Sequence, residues 1–159
     1  MKTRTAFSLG ETLIIVLVLG ATAAFIAPQF AGASEDERTS NAQIVIGGVR
    51  DAINIYADRA RDRGADPYPS LAELSSPGVV TMSRLPPNPF TGVRGVQAVT
   101  RTQAETRATF NTADAGWNYF FDNSGTQPDL IFYANCRTPT TVPQPDSKGD
   151  TRTMTANEL

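Results

Sequence analysis

The chain has 159 residues, a formal net charge of −2, no histidine and a single cysteine, Cys136. The lack of histidine excludes Ser–His and Cys–His catalytic pairs and imidazole metal sites, and a single cysteine excludes an internal disulfide. The acidic balance and the scattered arginines argue against nucleic acid as a partner, because proteins that bind nucleic acid usually carry a basic patch.

The N-terminal region divides into a short basic leader, residues 1–6, and a hydrophobic segment, residues 7–33. The stretch FSLGETLIIVLVLGATAAFIAP, from Phe7 to Pro28, would be about 33 Å long as a helix, which matches a hydrocarbon core of about 30 Å. It contains one charged residue, Glu11. Because a charge inside a membrane costs about 2.5–3.5 kcal/mol, Glu11 is expected to have a functional partner.

A second helix is predicted to follow. Pro28 removes a backbone donor and should kink or end the first helix, and the Ser34 to Glu37 segment fits a capping box that starts a new one. This helix should end near Gly64. Its apolar residues recur at spacings of three and four, which predicts one face packed on a core: Ala42, Ile46, Val49, Ile53, Tyr56 and Ala60.

The remainder of a domain over residues 34–137 is predicted to be a short helix, proline-rich loops and a small sheet. Ser70 to Leu74 follows two prolines and has the pattern of a capped helix. Gly116–Phe121 and Leu130–Ala134 are rich in aromatic and branched residues and predict an antiparallel hairpin with a buried aromatic face. Residues 138–159 are rich in Thr, Pro and charge, which predicts a flexible tail.

A calcium site is a weaker interpretation of the loop between these strands. Asp122, Asn123, Ser124 and Asp129 supply oxygen donors of the kind that calcium prefers. Their spacing fits no dedicated calcium loop, so a plain turn is the favoured interpretation and no cofactor is expected. The chain also contains no phosphate-binding glycine loop and no nucleophile elbow, so we do not expect an enzyme.

The N-terminus resembles the prepilin N-terminus that type IV pilins and type II secretion pseudopilins share. Ala6 precedes Phe7-Ser8-Leu9-Gly10-Glu11, and Gly20 and Pro28 also match the family pattern. The family usually has Gly where this chain has Ala6 and a large aliphatic residue at Gly10. Two further segments, Tyr68–Leu74 and Leu85–Gly92, resemble major pseudopilins.

The resemblance implies an α+β, pilin-like fold, in which a long kinked N-terminal helix packs on a small antiparallel β-sheet. It implies that a prepilin peptidase cuts between Ala6 and Phe7 and methylates the new amino group of Phe7. Glu11 would then act in assembly by pairing with the Phe7 amino group of a neighbouring subunit, and Pro28 would be the helix kink.

The function that this resemblance implies is that of a structural subunit of a type II secretion pseudopilus or a type IV pilus-like filament. Its partners would be other copies, other pilin-like subunits, the prepilin peptidase and an inner-membrane assembly platform. The chain would cross the bacterial inner membrane once, with its C-terminal domain in the periplasm, and then enter a periplasmic or cell-surface filament.

Three alternatives remain at this point. One is an exported soluble binding domain, released by signal peptidase after Ala31-Gly32-Ala33. Another is an uncleaved single-span anchor. The third is a competence-type pilin that takes up DNA.

Overall fold

The computed structural model describes the backbone of residues 9–124, 129–145 and 149–159, and the side chains of these residues from 34 onward. The chain divides into two units, Met1–Glu35 and Asp36–Leu159. The described elements are, in chain order, α1 (Leu9–Asp62), α2 (Leu71–Ser75), β1 (Val96–Ala98), α3 (Arg101–Glu105), β2 (Trp117–Asp122), β3 (Asp129–Ala134), β4 (Pro139–Pro145), β5 (Thr151–Thr155) and a 3₁₀ turn (Ala156–Glu158). The protein is therefore of mixed α+β class.

The helix α1 ends where the sequence predicts. Gly64, just past its end, has a φ of 66°, a left-handed conformation that glycine adopts without strain. The predicted new helix start at Ser34 is wrong, because Ser34 and Glu37 both lie inside α1. A capping box acts only where the preceding backbone is not helical. Pro28 also lies within α1 and does not end it, while the kink at Pro28 stays a prediction.

The predicted apolar face of α1 is confirmed within the unit Asp36–Leu159. Five of its six residues are buried, and Ala57 is buried where Tyr56 was expected; the buried set is Ala42, Ile46, Val49, Ile53, Ala57 and Ala60. The larger ones join Trp117 and Phe132 in one hydrophobic cluster. Each buried isoleucine contributes about 1.5–3 kcal/mol to folding, so this face holds α1 to the sheet.

The first sheet has three strands in the order β1–β2–β3. The predicted hairpin is confirmed: β2 and β3 are antiparallel, with Tyr119 opposite Phe132. The sheet is not purely antiparallel, however, because β1 pairs with β2 in parallel. Parallel neighbours need a crossover of a dozen residues or so, which residues 99–116, including α3, provide.

The two proline-rich loops are attached to β2 through its buried aromatic side chains. The indole Nε1–H of Trp117 donates to the carbonyl oxygen of Pro86 at 2.9 Å. The hydroxyl of Tyr119 donates to the carbonyl oxygen of Pro69 at 2.8 Å. The predicted short helix is confirmed as α2, whose N-cap Ser70 forms a complete capping box with Glu73. The loops and α2 are thus positioned by β2.

The tail predicted for residues 138–159 is instead an antiparallel pair of strands, β4 and β5, followed by the 3₁₀ turn. Thr140, Ala156 and Asn157 are buried, and the backbone N–H of Thr141 donates to Thr39 on α1 at 3.3 Å. Disorder was predicted because this segment has few large apolar residues. Composition alone does not show that the polar groups of buried threonine and asparagine side chains can form hydrogen bonds within the fold.

Two glycines give a matched test of this packing. A methyl group at Gly95 would collide with the backbone carbonyl of Asp114, whereas one at Gly48, in α1, would meet nothing within 4 Å. We expect Gly95→Ala to lower the free energy of unfolding by about 1–3 kcal/mol. Gly48→Ala should raise it by about 1 kcal/mol, because alanine favours helix. Denaturant unfolding of both variants measures this; destabilisation by Gly48→Ala would contradict the open environment.

Candidate functional site

The residues predicted to act in processing and assembly lie at the start of the chain. Ala6 and Phe7 precede Leu9 and lie outside the described residues. The backbone of Glu11 and Pro28 belongs to α1, but their side chains are outside the described set. The roles of these four residues therefore remain predictions from the sequence.

The predicted membrane segment, residues 7–33, falls in the same part of the chain. Among the residues that the structure describes fully, no helix is long and apolar enough to cross a membrane. That finding does not extend to residues 7–33, whose side chains lie outside the described set.

Two exposed isoleucines lie on the face of α1 opposite the core, and the exposed carboxylate of Asp51 lies between them on the same side. Ile44 and Ile55 are 70% and 52% exposed, and they are about three helical turns apart, on one side of the helix. Gly48 lies between them on the same side, with open space around its Cα. This surface, Ile44, Gly48 and Ile55, is called the outer stripe below. Sequence reasoning missed it, although the same periodicity that marks the core face also places these residues together.

A second cluster forms where β2 and β3 meet their connecting loop. Asp122 and Asp129 lie opposite each other in the strand register, and the guanidinium of Arg101 bridges them. Its Nη2 is 2.9 Å from Asp122 and its Nη1 is 2.8 Å from Asp129. The same guanidinium lies 4.9 Å from the centre of the Phe120 ring. Arg101 therefore supplies positive charge between two carboxylates that would otherwise repel each other.

This cluster contains the four residues considered for calcium. The hydroxyl and backbone N–H of Ser124 donate to Asp122 at 2.6 and 2.9 Å, and these bonds, with Arg101, lower the pKa of Asp122. The amide of Asn123 bonds both the N–H and the carbonyl of Tyr68. All four side chains thus have protein partners. Within the described residues, no group of three or more acidic, histidine or cysteine side chains could hold a metal ion.

A carboxylate also links α1 to α2. Glu73 accepts hydrogen bonds from the Tyr56 hydroxyl at 2.9 Å and from the backbone N–H and hydroxyl of Ser70 at 2.8 and 2.7 Å. These donors, chiefly Ser70, lower the pKa of Glu73. These hydrogen bonds join α1, through Tyr56, to the start of α2, through Ser70.

Comparison with known proteins adds no relative: no family model matches this chain, and neither a curated protein nor a solved structure matches it.

Because Arg101 bridges Asp122 and Asp129, its replacement should change how calcium affects the stability of the protein. In Arg101→Gln the two aspartates lose their shared cation, so we expect the unfolding midpoint to fall and millimolar calcium to restore part of it. The wild-type midpoint should respond less. Arg61→Gln, which breaks the exposed Arg61–Asp58 pair but keeps the Arg101 bridge, is the control and should respond to calcium as the wild type does. Equal responses in all three proteins would contradict the assignment of Arg101.

Proposed function

We propose that this chain is a structural subunit of a type II secretion pseudopilus or a type IV pilus-like filament, and that it is a substrate of a prepilin peptidase rather than an enzyme. The observation that carries the proposal is the single carboxylate, Glu11, inside the apolar stretch Phe7–Pro28, next to the Ala6–Phe7 junction. Neither an ordinary signal peptide nor a simple anchor accounts for a charge at that position.

The energetics of Glu11 favour an assembly role. A carboxylate in hydrocarbon costs about 2.5–3.5 kcal/mol when it is alone, and a cation from another chain offsets that cost. Cleavage after Ala6 creates such a cation, the amino group of Phe7. Pairing between Glu11 and the Phe7 amino group of a neighbour would also fix the axial register between subunits, which is a well-attested use of buried charge.

The described unit Asp36–Leu159 is compatible with this role. One face of α1 is used by its own sheet, and the opposite face carries the outer stripe. We propose that the outer stripe contacts a second copy in the filament. Burying the exposed part of two isoleucines would contribute a few kcal/mol, and Gly48 would let a neighbouring helix approach closely. Asp51, exposed on the same side, would need a basic partner on the second copy.

The remaining partners follow from this proposal. Before assembly the subunit would lie in the bacterial inner membrane, with residues 7–33 as its single span and the unit Asp36–Leu159 in the periplasm. The assembly platform would then draw it into a periplasmic or cell-surface filament together with other pilin-like subunits.

Processing gives the first prediction for this function. We expect the mature protein from cells that contain a prepilin peptidase to begin at a methylated Phe7, because the peptidase cuts on the cytoplasmic side of the apolar helix. Intact-mass spectrometry and N-terminal peptide sequencing measure this. A mature protein that begins at Ser34 would overturn the proposal in favour of an exported domain released by signal peptidase.

The second prediction for this function concerns filament assembly. Glu11→Ala should leave the subunit in the membrane fraction and reduce its recovery in sheared filaments by at least tenfold, since loss of one charge pair of about 1.4 kcal/mol changes an equilibrium tenfold. Glu37→Ala removes an exposed acid from the same helix and should assemble normally. Normal filaments from the Glu11 variant would contradict the role assigned to this carboxylate.

A further inference from the structure

Two arginines that are far apart in sequence line one cleft. The cleft has a volume of about 280 Å³ and lies between α1, β3 and the segment that follows α3; its lining is Arg50, Asn54, Arg107, Leu130, Ile131 and Phe132. Both guanidinium groups are partly buried, and burial lowers the pKa of each; for Arg50, the charge of Arg107 lowers it further. The cleft thus concentrates positive charge in a chain whose formal net charge is −2.

Neither arginine forms an ion pair with an acidic side chain among the described residues. The five ion pairs there involve other arginines. Arg50 donates from Nη2 to the backbone carbonyl of Phe132 at 3.0 Å and to an oxygen of Leu159 at 3.2 Å. The charge of Arg107 in particular has no acidic side chain against it within the described residues.

Of the two arginines, Arg107 gives the stronger evidence for a ligand in the cleft. Its Nη1 is buried and has no hydrogen-bond partner among the described residues, and a buried donor without a partner in a native structure calls for a ligand or an ordered water. Its guanidinium lies 5.2 Å from the centre of the Tyr133 ring. Its backbone has a φ of 52°, and the amide of Asn157 holds its carbonyl at 2.7 Å. The backbone of Arg107 is thus fixed, and the Tyr133 ring lies against its guanidinium.

We propose that this cleft binds an oxyanion, a carboxylate or phosphate group, between Arg50 and Arg107. Guanidinium groups bind both through paired N–H···O bonds, and the side chains of Arg50 and Arg107 both line this cleft. The anion has two sources, a free anion in solution or an acidic side chain of a second copy of this chain. The site does not depend on whether the chain forms filaments.

The test uses the full chain in an uncharged maltoside detergent at constant ionic strength, with sodium phosphate and sodium acetate as separate probes. We expect a saturable change in the arginine Nε–H signals of the NMR spectrum and a rise in the thermal midpoint at millimolar anion. Arg107→Gln should weaken binding about tenfold, the loss of one charge-assisted contact. Arg107→Lys should recover part of it, which separates loss of charge from loss of fold.

Arg59→Gln is the control, because Arg59 is exposed on α1 and lies outside the cleft; it should bind both anions as the wild type does. If acetate binds more weakly as the concentration of the chain rises, the carboxylate of a second copy competes for the site. A constant affinity would assign the site to a free anion. The proposal is overturned if neither anion gives a saturable change, or if Arg107→Gln and Arg59→Gln bind equally.

Discussion

The strand β2 organises the described unit through two buried aromatic residues, Trp117 and Tyr119. Their rings pack in the hydrophobic core, and their polar atoms donate hydrogen bonds to loop backbone. The rings of Trp117 and Phe132 stack with centres 5.4 Å apart, and both belong to the hydrophobic cluster that contains Ile46, Val49 and Ile53 of α1. Since Trp and Tyr need a hydrogen-bond partner when buried, their polar tips take up the carbonyls of Pro86 and Pro69. The same strand thereby fixes the helix, the sheet and both loops.

Buried asparagines extend this organisation to irregular backbone. Asn135 donates to the carbonyls of Phe110 and Ala115 and accepts from the N–H of Phe110, while Asn88 donates to the carbonyl of Gly116. Backbone that lies against a core outside a strand must find such partners, because an unsatisfied buried group costs about 1–3 kcal/mol. Amide side chains therefore replace the sheet ladder over the crossover between β1 and β2, and allow that crossover to lie close to the core.

The elements that could be predicted from the sequence are those with a local signal. The core face of α1, the capping box of α2 and the β2–β3 hairpin each follow from spacing or residue type within a few positions. β1 could not be found in this way, since three residues carry little pattern and parallel pairing depends on a distant strand. β4 contains Pro143 and Pro145, and proline within a stretch of sequence argues against a strand there. β4 nevertheless forms, because it lies in a two-stranded sheet. Its outer edge pairs with no other strand of that sheet, so a proline there removes no N–H that the sheet requires.

Glu11 stands out in the sequence, whereas the two cleft arginines stand out only in the folded protein. Glu11 is exceptional among its sequence neighbours, so the apolar composition around it is enough to single it out. Arg50 and Arg107 are ordinary in sequence, and only the packing of α1, β3 and the segment after α3 brings them to one cleft. The chain has more acidic than basic residues, 16 against 14, and yet Arg101 holds two carboxylates while neither cleft arginine forms an ion pair with an acidic side chain among the described residues. The cleft therefore has positive charge available to an incoming oxyanion.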